Sequence, residues 1–245
     1  MAAPSTIVFV LDASSELGHA AATSAVLRWG NSLLLSPWPL PPTLRVGVAG
    51  LVQQAGTLKT QVRVVLRPSR LSLRDLHAAV AKLARPTAHI DSVAAAGALG
   101  SLIGAVAADT VPTSCADPSA PSSPLYPHTT LVLLSDHLHD AQDFLPLLES
   151  SRGRGVALQA VAICCGDAGL DDPELASSLP GWAVLEARYP DSLGLTVAEG
   201  ADDLPLNTLT AAALARGGVP PPLEPVHLAF KLPLIGEVGA GAGQW

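Results

Sequence analysis

Residues Ile7-Val8-Phe9-Val10-Leu11 form an uninterrupted apolar run that stops at Asp12, with Ala13, Ser14, Ser15 and Glu16 directly behind it. Because nothing in the run alternates, a strand made of it must be covered on both faces, as central strands of parallel sheets are. A near-echo follows at Thr130-Leu131-Val132-Leu133-Leu134, which leads into Ser135 and Asp136. Two such strands, each ending on a carboxylate, confine the chain to α/β architectures in which acids are delivered to one sheet edge.

Between and beyond these runs, strand and helix patterns alternate. Leu17 to Leu35 reads as an Ala/Leu-rich helix capped by Ser14 or Ser15 and ended by Ser36-Pro37-Trp38-Pro39-Leu40-Pro41-Pro42. Leu44 to Leu51 and Thr60 to Leu66 are close enough to pair as a hairpin. Ser72, with Asp75 three residues on, caps a helix to Leu83, and a small-residue helix follows from Val93 to Asp109. Then come helix 142–150, strand 156–164, helix 172–179 and a short strand from Trp182 to Ala187. This order predicts a mostly parallel central sheet with one antiparallel edge strand and helices on both faces. The α/β domain is expected over residues 1–190. It carries a flexible Pro/Ser-rich loop at 111–127, where five Pro and four Ser leave no core-forming pattern. Residues 191–245 are expected to form an extension, part of a small β-rich module, with a short helix from Asn207 to Ala215 and a strand from Val226 to Leu232.

Composition narrows the function classes. The 245 residues are 49% apolar and only 14% charged, with 22 Pro and 21 Gly, so a full core is available and part of the surface is expected to be covered by a partner. A net charge of -7 with scattered basic residues argues against direct nucleic-acid binding, which needs clustered Lys and Arg. Arg63, Arg67, Arg70 and Arg74 read as a solvated edge. Three Cys without zinc-site spacing indicate a reducing intracellular environment, and no apolar run is long enough for a membrane span.

Ligands of open α/β sheets bind beyond the carboxyl ends of the strands. Asp12, Ser14, Glu16 and Asp136 gather hydroxyls and carboxylates suited to a hard cation such as Mg²⁺, or else serve as caps and loop anchors. His137 and His139, with Asp12 reaching across the sheet edge, could alternatively form a zinc-dependent hydrolase site, whereas His19, His77 and His89 have no obvious partners. Ser135-Asp136-His137 has triad residue types but lacks a nucleophile elbow, and no phosphate-binding glycine loop is present. Trp29, Trp38 and Trp182 stand out among few aromatics as candidate interface anchors, with core packing the competing role.

Asp12-Ala13-Ser14-Ser15-Glu16 resembles the Asp-x-Ser-x-Ser motif of the metal-ion-dependent adhesion site in von Willebrand factor A-like domains. Asp12 and Ser14 fall on its first two ligands, Glu16 replaces the second Ser, and Thr87 or Ser92 lies near the position of its Thr. Asp136 matches the acid after the fourth strand, followed by His137 in place of the usual Gly. The resemblance implies a binding module with a degenerate metal site and no bound cofactor. Its intracellular scaffold members sit in nuclear complexes, as in treslin, Integrator and general transcription factor subunits, and the resemblance does not choose among them. The expectation is therefore a non-enzymatic scaffold with a protein partner, intracellular and by preference nuclear. A Mg²⁺-dependent ligand binder is the alternative.

Overall fold

The computed structural model describes residues 6–35, 44–53, 59–86, 89–110, 129–152, 154–164 and 173–199. In chain order these form β1 (Thr6–Asp12), α1 (Glu16–Leu35), β2 (Arg45–Gln53), β3 (Thr60–Arg70), α2 (Leu73–Val80), α3 (Ser92–Thr110), β4 (Thr129–Ser135), a 3-10 turn (Ala141–Phe144), α4 (Leu145–Arg152), β5 (Val156–Cys164), α5 (Pro173–Arg188) and β6 (Leu193–Glu199). The six strands make one sheet in the order β3-β2-β1-β4-β5-β6. Every pairing is parallel except β2 with β3, so the expected fold class, including the antiparallel edge, is the one observed.

The all-apolar strands are central for the expected reason. Every residue of β1 and β4 is buried, and period-2 alternation divides their side chains between two cores. Ile7, Phe9 and Leu11 join Val132 and Leu134 under α1 and α2, together with Ala22, Val26, Trp29 and Leu76. Val8 and Val10 join Leu131 and Leu133 on the opposite face under α3, α4 and α5, with Leu99, Phe144, Leu148 and Trp182. The small residues of α3 allow close packing both to the sheet and to α4, and Ala95, Ala98, Leu99 and Ile103 are all buried.

β3 is an edge strand, alternating in exposure, and it carries Arg63, Arg67, Pro68 and Arg70. Charges and a Pro on an open edge discourage strand addition, and the register slips where Pro68 packs against Gly47. The Ser72 cap is present, with the Asp75 N–H donating to Ser72 Oγ at 3.4 Å.

Two expectations need correction. Trp182 to Ala187 is not a strand: it is the second half of α5, which runs on through Pro180. The sixth strand is instead Leu193–Glu199, paired in parallel with β5, so the sheet extends past the boundary drawn at residue 190. Trp38, Thr87, the loop 111–127 and the elements expected at 207–215 and 226–232 lie outside the described residues.

Candidate strand-end site

The strand order reverses direction between β1 and β4, the position at which doubly wound sheets open a crevice beyond their carboxyl ends. Asp12 ends β1 and pairs in register with Ser135 at the end of β4. Alternation then separates the two acids. Asp12 follows Val8 and Val10 onto the α3–α5 face, while Asp136, one residue past Ser135, falls on the α1 side.

On the α1 side, Asp136 Oδ2 accepts a 2.6 Å hydrogen bond from the Ser15 N–H, and Ser15 Oγ accepts from the Gly18 N–H at 3.0 Å, capping α1 in the expected way. Asp136 and α1 approach so closely that a Cβ on Gly18 would lie 2.3 Å from Asp136 Cβ. Only glycine fits there. Burial pushes the Asp136 carboxyl up, but hydrogen bonds from His137 and Ser15 more than offset it and hold the group well below the usual carboxylate range. Nearby, burial and the Arg85 charge push His19 down, against an opposing pull from Asp136.

On the other face, Asp12 is fully buried and meets two histidines. His139 Nε2 lies 2.5 Å from Asp12 Oδ2, and His137 Nε2 lies 3.8 Å from the same oxygen. The other nitrogen of His137, Nδ1, is 3.0 Å from Asp136 Oδ1. One imidazole therefore stands between the two carboxylates, the place a cation shared by both would take. Asp12 Oδ1 and His137 Nε2 are buried without a hydrogen-bond partner.

An aromatic row supports these histidines. The His89 ring lies 3.6 Å from that of His137, His137 is 4.3 Å from His139, His139 is 5.4 Å from Phe144, and Phe144 is 5.1 Å from Trp182 (between ring centroids). Trp182 Nε1 donates to the His139 carbonyl at 2.6 Å, fixing the loop that carries both histidines. The first residue of α3 is tied to the same region through a hydrogen bond from Ser92 Oγ to Asp143 Oδ2.

The expected ligand set is thus only partly assembled. Asp12 and Asp136 reach one site, joined through His137. Ser14 is half-buried behind Asp12. Glu16 lies apart from them: its side chain is 93% exposed and its ion-pair partner is Arg85 at 4.0 Å. Ser92, among the described residues, is tied to Asp143 by its own hydroxyl.

Trp29 and Trp182, read as candidate interface anchors, are core residues. Trp29 packs edge-on to Phe9 at 4.7 Å, and both indoles are about 1–2% exposed. Sequence reasoning gave His89 no partner, and no local signal identifies it, because its ring contact with His137 joins residues far apart in the chain.

The triad-like sequence Ser135-Asp136-His137 also has a definite geometry. Ser135 Oγ lies 3.2 Å from His137 Nδ1, the same nitrogen that faces Asp136. A proton relay needs the serine and the acid on different imidazole nitrogens. This arrangement puts both on one.

No family model matches the chain, and no curated protein matches it. Solved structures do. The pilus adhesin SpaC from Lactobacillus rhamnosus GG, in its open conformation, matches with a TM-score of 0.54 and 13% identity over 88% of this chain and 30% of that one. Proximal thread matrix protein 1 from the mussel byssus gives a TM-score of 0.49 at 11% identity over 86% and 48% of the two chains. The VWA domain of SpRpn10 gives 0.47 at 13% identity over 83% and 96%. The chain spans about half of the byssus protein and under a third of SpaC. What it shares with SpaC is the fold alone, a mostly parallel α/β sheet with helices on both faces.

Proposed function

We propose that this chain is a non-catalytic interaction module, a scaffold domain that holds a protein partner within an intracellular, nuclear complex. One observation carries this reading: at the sheet edge where an adhesion-type cation would be held, His137 stands between Asp12 and Asp136, and Glu16 is turned out to Arg85. The carboxylates are spent on organising the loops, and the rim around them is left for recognition. That rim carries Leu17 at 67% and Val93 at 61% exposure, each in the first turn of a helix that starts beside the site. The shared nitrogen of the Ser135 and Asp136 contacts supports the non-catalytic part of the proposal.

The test is isolation of the tagged full chain from its native cells after cross-linking, beside a Leu17→Asp/Val93→Asp double variant. A recurrent protein partner that the double variant loses is the expected result. Recovery of the chain alone, or of the same partner on both proteins, would overturn the proposal. Saturable Mg²⁺ binding abolished by Asp12→Ala would instead restore the metal-dependent ligand-binding alternative.

A further inference from the structure

We propose that Asp12, His137 and His139 form a binding site for a borderline transition-metal cation, zinc foremost, that fastens the strand-end loops. The three side chains each offer one ligand atom, and these atoms lie within 4.8 Å of one another. Two imidazoles with one carboxylate suit zinc, whereas Mg²⁺ prefers all-oxygen shells. The site is distinct from the hydroxyl–carboxylate motif that the sequence suggested. It uses neither Glu16 nor Asp136 as a ligand.

A second observation points to a cation. Asp136 Oδ1 stands 3.0 Å from His137 Nδ1, so the carboxylate orients that nitrogen as the donor and Nε2 is the nitrogen turned to the cluster. Nε2 is buried without a hydrogen-bond partner and lies 3.8 Å from Asp12 Oδ2. Asp12 Oδ1 is buried and equally unpartnered. These two orphaned atoms belong to neighbouring side chains at one sheet edge, and a cation bound there would give each the partner it lacks. The carboxylate on the far nitrogen also matches the way metal-ligating histidines are oriented, by an outer acid that fixes the tautomer and raises the basicity of the ligating nitrogen.

The geometry requires a modest adjustment. Donor atoms around a tetrahedral zinc are about 3.3 Å apart, given bonds near 2.0–2.1 Å. Metal entry therefore closes the His137–Asp12 separation slightly and opens the 2.5 Å contact between His139 and Asp12. The proton shared in that contact is released to solvent. The small cavity of about 10 Å³ beside His137, His139 and Trp182 is walled mainly by apolar side chains and does not reach Asp12, so the three side chains themselves make up the site. The metal's role is structural, and the inference stands apart from the partner-binding proposal, since either can fail alone.

The purified full chain, stripped with a chelator, would be titrated with Zn²⁺ in two buffers of different ionisation enthalpy, and with Co²⁺ followed by visible absorption. Expected results are one equivalent bound, proton release on binding, and the intense visible bands of tetrahedral cobalt. His137→Ala abolishes these signals. Asp136→Asn, which removes the charge of the outer acid while keeping an oxygen for the Ser15 N–H, weakens binding about 10- to 100-fold, while Glu16→Gln leaves it unchanged. His137 is the variant of choice because its side chain is 14% exposed, whereas replacing buried Asp12 or His139 risks unfolding the chain. No saturable Zn²⁺ binding by the folded chain, binding that survives His137→Ala, or binding that Glu16→Gln removes would overturn the assignment.

Discussion

Gly18 shows how much of this site depends on one missing side chain. Asp136 can reach the Ser15 N–H only because the first turn of α1 approaches without a Cβ. Gly18→Ala must push Asp136 or the helix away, and a loss of about 1–3 kcal/mol is expected from such overpacking, read by urea unfolding. Gly97→Ala is the control. It also lies inside a helix, but its added Cβ meets nothing within 4 Å, so helix propensity alone favours it by about 0.5–1 kcal/mol. Equal stability of Gly18→Ala and the parent would show that the close approach is not needed. At this scale the sequence was legible where chemistry is local. Asp12 and Asp136 could be placed at strand ends from the apolar runs before them, and His137 and His139 could be paired by their spacing. The contacts that decide the site were not, because His139 meets Asp12 across 127 positions of chain and His89 reaches His137 through a loop with no pattern of its own.

Among the elements, β1, β4 and β5 were legible because continuous apolar runs admit few other structures. α5 and β6 were not. Pro180-Gly181 has the form of a helix stop, and Trp182-Ala183-Val184-Leu185 has strand-like residues, yet the helix continues to Arg188 because Trp182 and Leu185 fall on one face and bury in the core. Tertiary burial overrides local propensity here. β6 was obscured by its mixture of Gly194, Thr196 and Glu199 with apolar residues, a composition that β5 rescues by pairing. The helix bears a measurable cost for its exposed Pro180, which supplies no N–H to the preceding turn. Pro180→Ala is expected to stabilise the protein by about 1–3 kcal/mol, seen as a higher Tm. An unchanged Tm would mean that the helix has already relaxed around the ring.

For the whole molecule, the strand order makes both cores depend on one sheet. Ending the chain at residue 190, where the sequence pattern weakens, removes β6 and bares the β5 edge along its length. Such a chain is expected to aggregate on size-exclusion chromatography, because an open edge of apolar strand invites pairing. A soluble monomer would show that β6 is dispensable. The sheet order itself could be argued from element alternation, since parallel strands with crossing helices leave few topologies. The division of the two terminal acids between opposite faces could not, since it depends on register. One further consequence lies in the indole of Trp182, which is hydrogen-bonded to the His139 carbonyl and shares Phe144 with its ring. An indole held by a backbone carbonyl emits according to whether that hydrogen bond is kept, so the molecule carries its own optical gauge. Light emitted from the core of one face registers whether the histidine loop is seated at the sheet edge.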